Sequence, residues 1–289
     1  MKFDVLLIGH LDKGRIVRGE EVSDFVGGAV YFGGIALARL GLRVGVVTRL
    51  ARDDSWMLDE FRREGIEVFP IYTSESTGIE NVHPDPNSDQ RRCYFLGFAG
   101  AFRSEDLPEV EAKLYYVGTV TAGEVDLEFL EAVARRGPVA LDPQGCLRRR
   151  VGRELVTGEW PEAEDALKLV RYLKVDDREA AVLTGVRDIR RAAEALSARG
   201  PKEVVLTHQG GVLVFAEGEF YAAPFRPKSL AGRTGRGDTC FASYLGRRLL
   251  GDSPAEAARF AAALTTLKLE RPGPFKGTLE EVYELVRKL

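Results

Sequence analysis

The sequence predicts an α/β protein: a mostly parallel central sheet with helices on both faces, forming three layers, and a small β-lid over one end. The main observation is that short apolar runs typical of buried strands alternate with helical segments along most of the 289 residues. The second is that two stretches break this alternation and have the composition of β-hairpins. The length suits one large domain, so we interpret residues 1–289 as a single domain with lid segments at about 12–26 and 77–100.

The elements follow one another in a regular order. The first apolar run, FDVLLI, ends at Gly9, and the first helical run, IALARL, ends at Gly41, a common residue after a helix. Strands are predicted at residues 3–8, 44–48, 66–71, 114–117, 139–141, 172–175, 204–207 and 211–215. Helices are predicted at residues 35–40, 55–64, 126–135, 188–199, 239–250, 254–269 and 279–289. Hairpins are predicted at residues 15–24 and 77–98, the second with a polar loop at 83–90.

Composition excludes several classes of partner. Hydrophobic residues make up 45% of the chain and charged residues 29%, as in a soluble globular enzyme. The 41 basic and 44 acidic residues give a net charge of -3, so no electrostatic argument favours nucleic acid or an anionic membrane. The start resembles no signal peptide, no run approaches the roughly 20 apolar residues of a membrane span, and the cysteines at 93, 146 and 240 are far apart. We therefore expect a cytoplasmic protein that acts on a small molecule.

Residues 231–243 read AGRTGRGDTCFAS, a glycine-bearing turn that runs directly into a predicted helix. A helix start exposes unpaired N–H groups and a partial positive charge, and glycines let an anion approach the backbone. Gly235, Arg236 and Gly237 could therefore hold a migrating phosphoryl group, and Asp238 could accept a proton from an attacking hydroxyl. The alternative is a simple loop in which Asp238 caps the helix.

Three motifs follow one another along the chain: GGAVYFGGIALARLG, then KVDDREAAVLTG, then TGRGDTCFASYLGRRLLG. Together they resemble the ribokinase-like carbohydrate kinases, also called the PfkB family, over essentially the whole chain. The resemblance implies a ribokinase-like fold, a kinase activity, and ATP and Mg²⁺ as cofactors. It also implies a homodimer formed through the lid, whose free strand edges invite pairing.

The resemblance further implies roles for individual residues. The catalytic base falls on Asp238, and the hole for the transferring phosphoryl group falls on Gly235, Arg236 and Gly237. Substrate binding falls on Asp12, Gly27, Gly28, Gln144 and Arg148, together with Asp238. Nucleotide binding falls on Lys174, Asp176, Thr207, Gly210 and Gly211. Metal binding falls on Asp176 and Glu179, whose i, i+3 spacing can share a helix face.

Departures from the family pattern bear on the substrate. Gly232 and Arg233 stand where the family usually has an acid and a threonine, and Phe32 stands where sugar kinases often have an asparagine. The chain is similar in these motifs to bacterial myo-inositol kinases. We therefore expect ATP-dependent phosphorylation of a hydroxyl on a small polyhydroxylated substrate, with myo-inositol favoured over a nucleoside or a simple sugar.

Two other classes of protein remain as alternatives. An NAD-dependent oxidoreductase normally has a GxGxxG motif directly after the first strand, but this chain has Gly9-His10-Leu11-Asp12 there. A non-catalytic sugar-binding regulator could share the fold, although the intact Asp238 argues against it.

Overall fold

The computed structural model describes residues 2–83 and 92–288. The strands in chain order are β1 (Lys2–Ile8), β2 (Asp12–Arg18), β3 (Glu21–Gly27), β4 (Val44–Ala51), β5 (Glu67–Thr73), β6 (Gly78–His83), β7 (Arg92–Gly97), β8 (Glu111–Gly118), β9 (Val139–Asp142), β10 (Arg148–Val151), β11 (Glu154–Thr157), β12 (Val170–Asp176), β13 (Glu203–His208), β14 (Gly211–Ala216) and β15 (Glu219–Pro224). The α-helices are α1 (Ala29–Arg39), α2 (Asp59–Arg63), α3 (Leu127–Ala134), α4 (Ala163–Lys168), α5 (Asp177–Thr184), α6 (Ile189–Ser197), α7 (Arg236–Leu249), α8 (Pro254–Leu269) and α9 (Leu279–Val286).

Nine strands form the central sheet, in the order β15-β14-β13-β12-β9-β8-β1-β4-β5. Every pair from β13 to β5 is parallel, and β14 and β15 add an antiparallel edge. Alternate residues of β1 face opposite sides, as strand geometry requires. Val5 and Leu7 pack in a core cluster with α1, α7 and α8, while Leu6 and Ile8 pack in another with α3 and α6. The predicted three-layer α/β fold is confirmed.

Six further strands form the lid sheet, in the order β10-β11-β7-β6-β2-β3. The hairpin predicted at residues 15–24 is β2–β3, and the one predicted at 77–98 is β6–β7; residues 84–90 of its predicted polar loop lie outside the described part of the chain. The third hairpin, β10–β11, was not predicted; it pairs with β7 through Leu155 and Cys93. Strands β3 and β10 are the edges of this sheet, and a homodimer through them stays a prediction.

Helix starts differ most from the prediction. The first helix begins at Ala29, six residues before the predicted start, because Gly33 and Gly34, which weaken the helical pattern, lie inside it. A β-carbon on Gly33 would lie 3.2 Å from the Tyr116 ring, so close packing favours glycine there. Helix α7 begins at Arg236, so residues 236–238 of the glycine-bearing turn belong to its first turn. Helix α8 has the predicted bounds, and Ser253 and Glu256 form a capping box at its start. Among the described residues, we find no helix with the length and apolarity needed to cross a membrane.

Candidate active site

A cavity of about 310 Å³ lies between the carboxyl ends of the central strands and the lid sheet. Polypeptide loops leave a parallel sheet at this edge, where ligands usually bind in α/β proteins. The helices α1 and α7 point their N-termini at it. The cavity is lined by Asp12, Arg18, Phe25, Gly28, Ala29, Phe32, Ile79, Asn81, His83, Thr119, Val120, Gln144, Arg148, Lys174, Asp176, Asp177, Arg178, Thr207, Gln209, Arg233, Thr234, Gly235, Arg236, Gly237 and Asp238.

The TGRGD turn, residues 234–238, forms one wall of this cavity. Gly235 is the N-cap residue of α7, has φ +79°, and would place a β-carbon 2.3 Å from the Phe32 ring. The N–H groups of Gly235, Gly237 and Asp238 find no backbone acceptor among the described residues, whereas that of Arg236 donates to the Arg233 carbonyl at 3.3 Å. Three main-chain donors are thus available to an anion at a helix N-terminus.

Asp238 lies in the first turn of α7 and is half-buried. Helix α7 has no side-chain cap, so the alternative interpretation of Asp238 as an N-cap is wrong. Within residues 2–83 and 92–288 its carboxylate forms no hydrogen bond or ion pair. A carboxylate beside free amide donors, both on the wall of one cavity, can accept a proton from a bound hydroxyl.

Replacement of Gly235 by alanine is expected to abolish activity, because the β-carbon would strain a left-handed backbone and collide with Phe32. Gly41→Ala is the matched control: it has φ +82° but no atom within 4 Å of the added carbon. Each change should cost about 1 kcal/mol of stability through φ alone, and only Gly235→Ala should lose turnover in a coupled phosphate assay. Equal activity in the two variants would contradict a role for the tight packing of the turn.

Lys174 lies buried beneath the TGRGD turn, 3.0 Å from where a β-carbon on Gly237 would stand. Its Nζ lies 3.2 Å from Asp142 Oδ2 and 3.5 Å from Glu179 Oε2. Burial alone would lower the pKa of Lys174, but the carboxylates of Asp142, Glu179 and Asp238 raise it. Burial raises the pKa of Asp142 to about 6 and that of Glu179 to about 7, against the lowering effect of Lys174. The lysine is thus held charged at the floor of the cavity.

Asp176 and Glu179 form the capping box of α5. Asp176 Oδ1 accepts the N–H groups of Arg178 and Glu179, and Glu179 Oε2 accepts that of Asp176 at 2.7 Å. Glu179 Oε1 accepts Gln144 Nε2 at 3.3 Å, so both oxygens of Glu179 are engaged. Among the described residues no group of three or more side chains has metal-ligand geometry. Mg²⁺ with phosphate ligands needs only one or two carboxylates, and Asp176 Oδ2, which the cap leaves unused, fits that role better than Glu179.

Residues from the lid and from strand ends form the opposite part of the cavity. Asp12 Oδ1, at the start of β2, accepts the N–H of Ile79 on β6 at 2.9 Å, a contact within the lid sheet. Gly28 is the N-cap of α1 with φ +98°. Arg148 donates to the Val120 carbonyl at 2.5 Å and lines the cavity.

Three of the predicted site glycines do not line this cavity. Gly27 stands behind Asp12, where a β-carbon would lie 3.2 Å from Asp12 Oδ2. Gly210 and Gly211 lie in the tight β13–β14 connection, and a β-carbon on Gly211 would meet the Ala223 carbonyl at 2.4 Å. Gly211 thus serves close strand packing, whereas a β-carbon on Gly210 would come no nearer than 3.4 Å to the His208 ring. Gln209 of the same connection lines the cavity in their place.

Several side chains that line the cavity were not among the predicted site residues: Arg18, Asn81, His83, Thr119, Asp177, Arg178 and Gln209. Asn81 is the most informative of them. It is buried on β6, and its Oδ1 accepts the Cys93 thiol at 3.3 Å. Lid residues carry no local motif, so only the pairing of β6 with β7 could have identified this contact.

The fold and the cavity together define a phosphotransferase class of protein: a ribokinase-like sheet, an anion-binding turn at a helix start, and a free carboxylate beside it. A family model described as pfkB family carbohydrate kinase matches residues 5–280. The chain therefore belongs to this family and is a kinase, which confirms the resemblance found in its motifs.

Similar proteins differ in donor and acceptor. The structure of a pyrophosphate-dependent kinase of the ribokinase family, complexed with a pyrophosphate analog and myo-inositol, is 33% identical over 97% of this chain and 99% of its own, with TM-score 0.89. A ribokinase from Arabidopsis thaliana complexed with ribose and ATP is 20% identical over 99% of each chain, with TM-score 0.76, and shares the fold. A cytidine kinase from Thermococcus kodakarensis is 26% identical over 96% of this chain and 99% of its own.

Proposed function

We propose that this protein transfers a phosphoryl group from pyrophosphate to a hydroxyl of myo-inositol. The observation that carries the proposal is the character of the cavity's donor end. It is rich in cations, whereas the apolar side chains that line the cavity lie on the lid, on α1 or after β8: Phe25, Ala29, Phe32, Ile79 and Val120. The expectation of ATP as the donor becomes the rival outcome of the test.

Sheet order separates the two ends of the cavity. Thr207 on β13 and Lys174 on β12 mark the donor end, and Asp12 after β1 marks the acceptor end. Four strand spacings separate β13 from β1, or about 19 Å at the usual spacing. The donor-end side chains are Lys174, Asp176, Asp177, Arg178, Thr207, Gln209, Arg233 and Arg236. A nucleotide site normally includes an apolar surface for the base, whereas four cations suit a small, highly charged anion.

The segment before the TGRGD turn is hydrogen-bonded to the end of α8. The Lys228 N–H donates to Glu270 at 2.8 Å, and the Gly232 N–H donates to the Leu269 carbonyl at 2.8 Å. A β-carbon on Gly232 would lie 1.8 Å from the Arg271 carbonyl oxygen. Lys228 and Gly232 thus hold this segment against the end of α8.

The acceptor end combines apolar and polar walls. Phe32, Ile79 and Val120 offer surface to the C–H groups of a ring, while Asp12 and Asn81 offer hydrogen bonds to hydroxyls. Such alternation suits a cyclic polyol better than a flat base. The 33%-identical relative with bound myo-inositol supports this choice of acceptor.

The reaction joins one acceptor oxygen to one phosphorus. The hydroxyl oxygen attacks a phosphorus of pyrophosphate, the bridging P–O bond breaks, and orthophosphate leaves with that electron pair. Asp238 takes the hydroxyl proton, and the free amides of the TGRGD turn stabilise charge on the transferring group. Mg²⁺, when bound, would be held by Asp176 and would offset charge on the donor phosphates. Strands of the lid exclude water and so suppress hydrolysis of the donor.

A matrix of donors and acceptors tests the proposal. Pyrophosphate and ATP are each combined with myo-inositol, ribose and cytidine, and ³¹P NMR follows product ester and released phosphate. We expect ester only with pyrophosphate and myo-inositol. Ester formation with ATP but not with pyrophosphate would overturn the donor assignment. A preference for cytidine, the substrate named for the Thermococcus relative, would overturn the acceptor assignment.

A further inference from the structure

A buried lysine lies behind the TGRGD turn, on the side away from the cavity. Lys268 is in the last turn of α8 and is only 1% exposed. Its Nζ donates to the carbonyl oxygens of Gly232 and Thr234 and lies 5.0 Å from the centre of the Phe32 ring. No carboxylate of the described residues forms an ion pair with it. Burial of an ammonium group without a paired carboxylate lowers the stability of the fold, so such a group calls for a functional explanation.

The geometry of the peptide unit between Thr234 and Gly235 shows which backbone groups Lys268 orients. The carbonyl of Thr234 and the N–H of Gly235 belong to one peptide unit, and the described chain has no cis peptide bond. In a trans unit the C=O and N–H point in opposite directions. Because the Thr234 carbonyl points at Lys268, the Gly235 N–H points away from it, and that N–H has no backbone acceptor among the described residues.

We propose that Lys268 acts as a built-in cation that positions the TGRGD turn: its ammonium fixes the carbonyl side of the turn so that the amide side faces the transferring phosphoryl group. It is a positioning residue, since it acts through the backbone. The inference rests on the proposed phosphoryl transfer. It implies that the wild-type protein needs no added monovalent cation, because the chain supplies its own.

The surroundings of Lys268 are consistent with this role. The C-terminal end of α8 and the ring of Phe32 both favour a positive charge. Burial lowers the pKa of Lys268 to about 8, while Asp238 raises it and Arg236 lowers it. In the free enzyme the lysine is therefore charged below pH 8 and loses its charge as pH rises through that value. The pH dependence of kcat/KM should then fall above about pH 8.

Two substitutions test the role. Lys268→Met keeps the length of the side chain without its charge, and we expect kcat to fall on the order of 10- to 100-fold and the decline above pH 8 to disappear. Lys268→Ala leaves space for a small cation, so ammonium or potassium chloride should restore part of its kcat, while tetramethylammonium chloride should not. Pyrophosphate affinity, measured by calorimetry without acceptor, should weaken about tenfold in Lys268→Met.

Several outcomes would overturn the inference. They are a Lys268→Met protein with wild-type kcat and pH profile, an alanine variant that no cation restores, and a wild-type enzyme whose kcat depends on potassium. The last measurement uses the unaltered protein and stands even if both variants fail to fold. If wild type shows no kinase activity, the proposed function fails first, and calorimetry with pyrophosphate still tests the turn.

Discussion

Asp238→Asn is expected to lower kcat by roughly 10²–10⁴-fold, the usual contribution of a general base. Asparagine keeps the size of the side chain and its place in the first turn of α7 but cannot take the hydroxyl proton. Because the N–H donors of the turn remain, binding of the donor should change little, and KM for pyrophosphate should stay within about threefold of wild type.

The measurement is steady-state release of orthophosphate at saturating donor and acceptor. Asp165→Asn is the control, since Asp165 is exposed on α4 and, within residues 2–83 and 92–288, pairs only with Lys168. Its kcat should equal that of wild type. An Asp238→Asn enzyme with near-normal kcat would eliminate the assigned base, and a rise in KM alone would show that Asp238 only binds substrate.

The central sheet was predictable because strands that are buried on both faces have short, continuous apolar sequences. Strand β4, with the sequence VGVVTRLA, shows this pattern well. Strand β10 carries the opposite signal: its sequence is RRRV, and its residues are largely exposed. Its place depends on pairing with β11 and, through that strand, on the lid, which no local pattern encodes.

The site was predictable where a motif is local and not where contacts cross the fold. Asp238 and the glycines of the turn lie in one continuous stretch that a helix start organises. Lys268 lies 30 residues further along and contacts that turn only because α7 packs on α8. The sequence does carry one indication of it. Lys268 lies four residues after Leu264 and three after Thr265, so the helical period places it on the buried face of α8, where a lysine is unusual.

The charge cluster around Lys174 makes the second large prediction. Lys174→Met is expected to destabilise the protein by about 3–5 kcal/mol at pH 8, the usual effect of removing one partner of a buried ion pair. The substitution leaves the buried carboxylates of Asp142 and Glu179 without their cation. Packing should suffer less, because methionine has nearly the length of lysine.

The loss should depend on pH, and its sign follows from the two carboxyl groups. In wild type, burial raises the pKa of Asp142 to about 6 and that of Glu179 to about 7, while Lys174 holds both lower than burial alone would. Without the lysine both pKa values rise further, so the folded variant binds protons that the unfolded chain releases above pH 4 to 5. Its stability therefore falls as pH increases, and the gap to wild type should be small at pH 5 and large at pH 8.

Urea unfolding of both proteins at pH 5, 6, 7 and 8 measures that gap. Lys202→Met is the control, because Lys202 is exposed and its loss should change stability little at any pH. A gap that stays constant from pH 5 to pH 8 would show that the loss comes from packing, and the carboxylates would then not depend on Lys174 for their charge. A variant that folds only at pH 5 would be the strongest form of the expected result, because protonation would have replaced the missing ammonium at the floor of the cavity.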